Sequence, residues 1–194
     1  QHTVGAGLMH EGYLFPMAVR TLAEQRQSAR ESLPERVERA ASLANATTDP
    51  VLIFGNLNTE TESVTKLIPD AVEVSGSMSN KMKTERLMGF TEGNHRVLIT
   101  RTKIGGFCMN WQNCHDMIFL GLSNSFESLY QCTRRCWRFG QKNKVTSNHV
   151  VCESDGAVVA NIARKENQAR DMMDKNVKNI GIEYSPKKVG SANV

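Results

Sequence analysis

The stretch VLIFGNLNTETESVTKLIPDAVEV, residues 51–74, places two short apolar runs on either side of a helix-forming segment. The runs at 51–54 and 71–74 are nearly continuous in apolar residues, which is typical of strands that are buried on both faces of a sheet. The segment between them, at 60–68, has helical character. A strand, a helix and a second strand in this order predict a right-handed crossover between parallel strands.

The same alternation continues along the chain. Further apolar runs lie at 96–99, 117–120 and 149–151, and helical segments separate them at 81–90 and 128–137. Strands that alternate with helices predict a three-layer α/β/α domain with a mainly parallel sheet. Because ligands of such sheets bind beyond the carboxyl ends of the strands, we look for functional residues just after each apolar run.

The first part of the chain does not show this alternation of strands and helices. Residues 17–30 and 35–45 are helical in character, whereas Gly5, Gly7 and Gly12 predict a loop at the extreme N-terminus. A closing helix is predicted at 157–178. We therefore divide the chain into three parts, which are a helical extension or connection at 1–49, the α/β domain at 50–180 and a polar tail at 181–194.

Composition sets broad limits on function. The chain of 194 residues has a net charge of +4, an excess too small to indicate a polyanionic partner unless its position is known. Its five cysteines are odd in number and lie in apolar or helical stretches, which favours reduced thiols in a cytoplasmic protein. No apolar run approaches the ~20 residues that a membrane-spanning helix needs.

A dense group of arginines occurs in QCTRRCWRFGQ, residues 131–141. Taken alone, such a group is more often a solvated basic face. The spacing instead favours a binding site. Arg135 and Arg138 are three residues apart on one predicted helix face, with Gln131 one turn before Arg135. Two guanidinium groups and an amide on one face match the oxygens of a phosphate.

A second polar segment, TRTKIGGFCMNW, follows a predicted strand at residues 100–111. Its glycine pair, which includes Gly106, lets the backbone approach a ligand closely, and Thr102, Lys103 and Asn110 can contact phosphate or sugar. A glycine pair after a strand is by itself most often just a turn. This segment indicates a function only in combination with the other segments of the chain.

The order of these segments resembles a known family. The apolar run at 51–54 is followed by Val74-Ser75-Gly76-Ser77, the segment 96–110 and Gln131-x3-Arg135-x2-Arg138-x-Gly140-Gln141. This series resembles the second RecA-like domain of superfamily 2 helicases over about residues 50–152. It is most similar to the Swi/Snf-like branch and to phage-encoded and bacterial helicases that act in the bacterial cytoplasm.

The resemblance implies that ATP binds between two RecA-like lobes and that this lobe supplies arginine fingers to the γ-phosphate. Arg135 and Arg138 match those arginines, with Gln131 as their companion. Gly106 and Asn110 match positions that face the nucleotide and the lobe interface.

The resemblance also implies a nucleic-acid partner, for which we expect DNA. Ser75 and Gly76, together with Thr102 and Lys103, match positions that grip the phosphate backbone without reading the sequence. Trp111 and Trp137 are open to two interpretations, as residues that stack on bases or, more commonly, as packing residues.

Part of such a motor is missing from the chain. Nothing fits the Gly-x4-Gly-Lys-Ser/Thr loop that cradles phosphates, and no Gly-Lys or Asp-Glu dipeptide occurs. Since the chain also begins with Gln1, we interpret it as a separated second lobe, with ATP and Mg²⁺ bound mainly by an absent first lobe. We expect no cofactor and no ATP hydrolysis in this chain alone.

Three other functions are alternatives to this one. A zinc site at Cys114, His115, Cys132 and Cys136, with Cys108 as a fifth ligand, lacks the usual Cys-x2-Cys spacing. A dinucleotide-binding enzyme lacks its Gly-x-Gly-x2-Gly turn. A non-catalytic scaffold that binds nucleic acid or protein remains the main alternative.

Overall fold

The computed structural model describes residues 2–4, 22–104, 109–123, 125–152 and 155–179. These residues form one six-stranded sheet in which every neighbouring pair is parallel, with the order β1-β6-β5-β2-β4-β3. The strands are β1 (His2–Val4), β2 (Val51–Gly55), β3 (Ala71–Val74), β4 (Val97–Arg101), β5 (Asp116–Leu120) and β6 (Thr146–Cys152). The helices are α1 (Leu22–Glu31), α2 (Leu33–Asn45), α3 (Asn58–Leu67), α4 (Asn80–Thr91), α5 (Phe126–Cys136) and α6 (Gly156–Asn179). The predicted parallel α/β sheet with flanking helices is confirmed.

The two faces of the sheet bury two apolar clusters. From β2, Val51 and Ile53 pack with α2 and α3 on one face, whereas Leu52 and Phe54 pack with α4 and α5 on the other. All five residues of β2 are buried, because β2 lies between β4 and β5 and helices cover both faces of the sheet. This explains why the run at 51–54 carries no polar residue.

Two features of the N-terminal region differ from the prediction. Residues 2–4 form a parallel edge strand beside β6 rather than a loop, since β6 offers a free edge with which they pair. Helix α2 belongs to the core of the α/β unit, because Val37, Ala40 and Ala44 are buried against the sheet. The division of the chain at residue 50 itself stays a prediction.

Among the helices that the structure describes, none is both long and apolar enough to cross a membrane.

Candidate functional site

Helix α5 carries the arginine group and ends earlier than predicted. The hydroxyl of Ser125 caps its start by accepting a hydrogen bond from the amide of Ser128 at 3.2 Å. The helix ends at Cys136, because Trp137 leaves the helical conformation with φ −86° and ψ 82°. Arg138 lies beyond the helix, so the prediction that Arg135 and Arg138 share one helix face is wrong.

The side chains of Gln131, Arg135 and Arg138 differ from one another in their exposure to solvent. Arg135 is 8% exposed and packs into the domain, whereas Gln131 and Arg138 are exposed. Arg138 lines an open cavity of about 380 Å³ between the end of α5 and the start of β6. The remaining lining residues are Thr133, Trp137, Gln141, Asn143, Lys144, Val145 and Ser147.

Gln141 holds this turn together. Its side-chain amide donates to the carbonyl oxygens of Gln112 at 3.0 Å, Cys114 at 3.2 Å and Cys136 at 3.3 Å. One side chain thus joins the end of α5 to the segment that precedes β5. The carbonyl of Cys136 also accepts from the amide of Arg138 at 3.1 Å. These bonds stop α5 at Cys136 and set the position of Arg138.

Gln141→Ala should lower the free energy of unfolding by about 1–3 kcal/mol, because the carbonyl groups of Gln112 and Cys114 lose the donor that Gln141 supplies. Urea unfolding followed by circular dichroism measures this loss. Gln27→Ala, which removes an exposed amide on α1, is the matched control and should stay within about 0.5 kcal/mol. Equal stability of the two variants would contradict the structural role of Gln141.

Asn110 directly precedes a residue that contacts the arginine segment. The amide of the nearby Trp111 donates to the carbonyl of Arg135 at 3.1 Å. Asn110 donates to the side chain of Gln112 at 3.3 Å, and Gln112 donates in turn to the carbonyl of Phe139. Gly106 lies outside the described residues.

The four residues predicted to contact a phosphate backbone lie at one edge of the sheet, which is the edge formed by the carboxyl ends of the strands. Ser75 and Gly76 follow β3, and Thr102 and Lys103 follow β4, which is its direct neighbour with Val74 opposite Thr100. Lys103 and Gly76 are exposed. Lys83 on α4 adds a positive charge that the sequence did not single out, and it donates to the carbonyl of Gly76 at 2.8 Å.

A buried ion pair supports the same edge and was missed by the sequence analysis. Arg36 of α2 donates to the carboxylate of Glu60 at 2.8 Å, and the second oxygen of Glu60 accepts from the amides of Asn56 at 2.7 Å and Leu57 at 3.0 Å. Glu60 thereby orders the loop that follows β2. Arg36 also packs against Gly121, where a Cβ would lie 2.9 Å from its guanidinium.

Three of the cysteines that the sequence offers as zinc ligands are buried in the core, and Cys108 lies outside the described residues. Cys114, Cys132 and Cys136 lie in the apolar cluster beneath α5. Burial raises the pKa of Cys132 to about 12. The pKa of Cys114 is also raised, mainly by its hydrogen bond with Cys136 and secondly by burial. The surroundings of Cys114 and Cys132 therefore favour the neutral thiol. Among the described residues, the possible metal ligands that come together are Asp49, His115 and Asp116, at the opposite edge of the sheet.

The two tryptophans have separate environments. Trp111 is fully buried and packs edge-on against Phe90, whereas Trp137 is 55% exposed at the end of α5. The packing interpretation therefore holds for Trp111. Trp137 remains accessible to a ligand.

Comparison with known proteins identifies the family. The profile of the helicase conserved C-terminal domain matches residues 33–140, more than half of the chain. The matched range includes α2, in agreement with its packing against the sheet. A search of curated proteins finds no significant match.

Solved structures of similar fold include two helicase-type domains. The C-terminal part of the Fun30 ATPase domain is 16% identical with a TM-score of 0.59, and the match covers 66% of this chain and 44% of that one. The C-terminal domain of the DEAD-box protein Dbp5 is 13% identical with a TM-score of 0.57, and the match covers 75% of this chain and 91% of that one. This chain thus spans less than half of the Fun30 structure.

Proposed function

We propose that this chain, which belongs to the helicase conserved C-terminal domain family of superfamily 2, is the second motor lobe of an ATP-dependent DNA translocase or helicase. Its RecA-like fold completes a nucleotide site whose phosphate-binding loop lies on a first lobe. We further propose that it belongs to the Swi/Snf-like branch. In this role Arg135 and Arg138 act on the γ-phosphate, and Ser75, Gly76, Thr102 and Lys103 contact the nucleic-acid backbone.

The observation that carries the proposal is the position of Arg138. It stands exposed on a cavity that also contains Lys144, so two positive charges face one opening. The cavity lining contains no carboxylate within the described residues, and a magnesium ion that accompanied ATP would need its ligands from the first lobe. Asn110 and Gln131 contribute exposed amides, that of Gln131 from one turn before Arg135 on α5.

A second observation supports the nucleic-acid contact. Ser75 and Thr102 lie at the carboxyl ends of neighbouring parallel strands, so their hydroxyl groups share one edge of the sheet. Lys103 and Lys83 add charge there, and helix α4 begins beside Ser75 with the positive end of its dipole. Such an edge suits phosphate groups spaced along a strand.

Lys103→Ala should weaken DNA binding and reduce the slope of log Kd against log salt concentration by about 1, because one phosphate contact is lost. Fluorescence anisotropy of labelled single-stranded and duplex DNA between low and physiological salt measures the slope. Lys66→Ala is the matched control, since Lys66 is exposed at the far end of α3, away from this edge.

Equal slopes of log Kd against log salt concentration for Lys103→Ala and Lys66→Ala would contradict the proposed contact between Lys103 and the nucleic-acid backbone. Binding to protein partners with no salt-sensitive binding to DNA would favour the scaffold alternative.

A further inference from the structure

Four side chains form a continuous stack along the outer surface of α5. The rings of Phe126 and Tyr130 have centroids 6.0 Å apart, and the guanidinium of Arg134 lies 6.0 Å from the Tyr130 ring and 4.9 Å from the Trp137 ring. We call these four residues the α5 ladder. Phe126, Tyr130 and Arg134 are four residues apart and therefore lie on one side of α5, and Arg134 contacts the ring of Trp137 just beyond the end of the helix.

The α5 ladder faces solvent. Tyr130 is 41% exposed and Trp137 55%, whereas Cys132 and Cys136 on the opposite side of α5 are buried in the core. Large aromatic side chains exposed in a row are uncommon on a protein surface unless a partner covers them. The domain's own packing therefore does not account for this row.

The charge around the ladder indicates the kind of partner. Residues 126–147 contain one acidic residue and five basic residues, which are Arg134, Arg135, Arg138, Lys142 and Lys144. The net positive charge of this segment equals that of the whole chain. Aromatic rings interleaved with arginine in a positive surface are typical of proteins that bind single-stranded nucleic acid, whose bases stack on the rings.

The ladder adjoins the edge of the sheet that carries Thr102. The thiol of Cys132, on the inner side of α5, contacts the carbonyl of Thr102 at 3.8 Å, and Leu129 shares a small cleft with Thr102. Helix α5 begins at this edge, because it follows the carboxyl end of β5.

We propose that unpaired bases of a single-stranded nucleic acid stack on the α5 ladder, with Tyr130 and Trp137 as the main platforms. The ladder thereby extends the backbone contact at Thr102 and Lys103, and the inference rests on that part of the proposed function. The contact is insensitive to base sequence, since every base presents a flat face to an aromatic ring.

Trp137 reports directly on this contact. Trp111 is fully buried, so an added strand can reach only the Trp137 indole among the two tryptophans. Titration of the full chain with an oligothymidylate, without ATP, should quench the tryptophan emission. An abasic strand of the same length loses both platforms, so it should bind about 25-fold more weakly and leave the emission nearly unchanged.

Tyr130→Ala should weaken binding of the oligothymidylate by about 5- to 10-fold while leaving binding of the abasic strand unchanged. Met172→Ala removes a side chain of similar size that is 63% exposed on α6, and it should bind both strands as the unchanged chain does. Trp137→Leu should abolish the quenching, which assigns the signal to that residue.

The outcomes separate this inference from the proposed function. Salt-sensitive binding in anisotropy without quenching, and with equal affinity for the abasic strand, would overturn the ladder but keep the contact at Lys103. Equal quenching by duplex DNA would also overturn stacking of unpaired bases. Absence of any binding to DNA would overturn both.

Discussion

Arg36→Ala lowers the free energy of unfolding by about 3–5 kcal/mol, the loss expected when one partner of a buried ion pair is removed. Arg36 is 1% exposed and Glu60 2%. Arg36 donates to the hydroxyl of Ser32 at 3.1 Å and to the carbonyl of Ala29 at 2.6 Å as well as to Glu60. Alanine leaves the Glu60 carboxylate buried without its counter-ion and opens a space beside Gly121.

Urea unfolding at neutral pH measures the loss. Arg170→Ala is the matched control, because Arg170 pairs with Glu166 on the exposed surface of α6 at 3.1 Å and should change stability by less than about 0.5 kcal/mol. The double variant Arg36→Met and Glu60→Gln should lose less than the sum of its two single variants, since neither charge remains buried alone. A loss for Arg36→Ala no larger than that of the control would show that the pair does not stabilise the domain.

The fold was predictable because buried strands appear in the sequence as short apolar runs. Each central strand is covered on both faces, so the runs at 51–54, 97–99 and 117–120 are free of strongly polar residues. Helices between parallel strands then follow from geometry. The edge strand at residues 2–4 is too short to leave such a mark, and it depends on the free edge of β6.

The site was predictable only where the residues lie close in sequence. Arg36 and Glu60 are 24 positions apart on different helices, and each looks like an ordinary surface residue of its own helix. Their burial depends on how α2 packs beside the loop after β2. The end of α5 was missed for a similar reason, because the side chain of Gln141 and the backbone of the 112–114 segment, rather than a local proline or glycine, stop the helix at Cys136.

Arg138→Ala should reduce the ATP-hydrolysis kcat of the two-lobe motor that we propose by about 10³-fold or more, the range in which arginine fingers contribute. The expected loss falls on kcat with little change in KM for ATP, because the guanidinium stabilises charge that develops on the transferring phosphate. Arg138→Lys should restore little of the rate, since an ammonium group lacks the planar fork that contacts two oxygens. Steady-state phosphate release with saturating DNA measures both parameters.

Arg138 provides the sharper test of the two arginines because of where each side chain lies. Arg135 is buried at the end of α5, so its replacement combines a loss of stability with any loss of chemistry. Arg138 is exposed in the turn that Gln141 holds, and its replacement leaves the core intact. Arg170→Ala, with unchanged kcat, controls for the loss of one positive charge. If Arg138→Ala unfolds at the same urea concentration as the unchanged protein and hydrolyses ATP at an equal rate, Arg138 does not act on the phosphate and the cavity beside it serves another ligand.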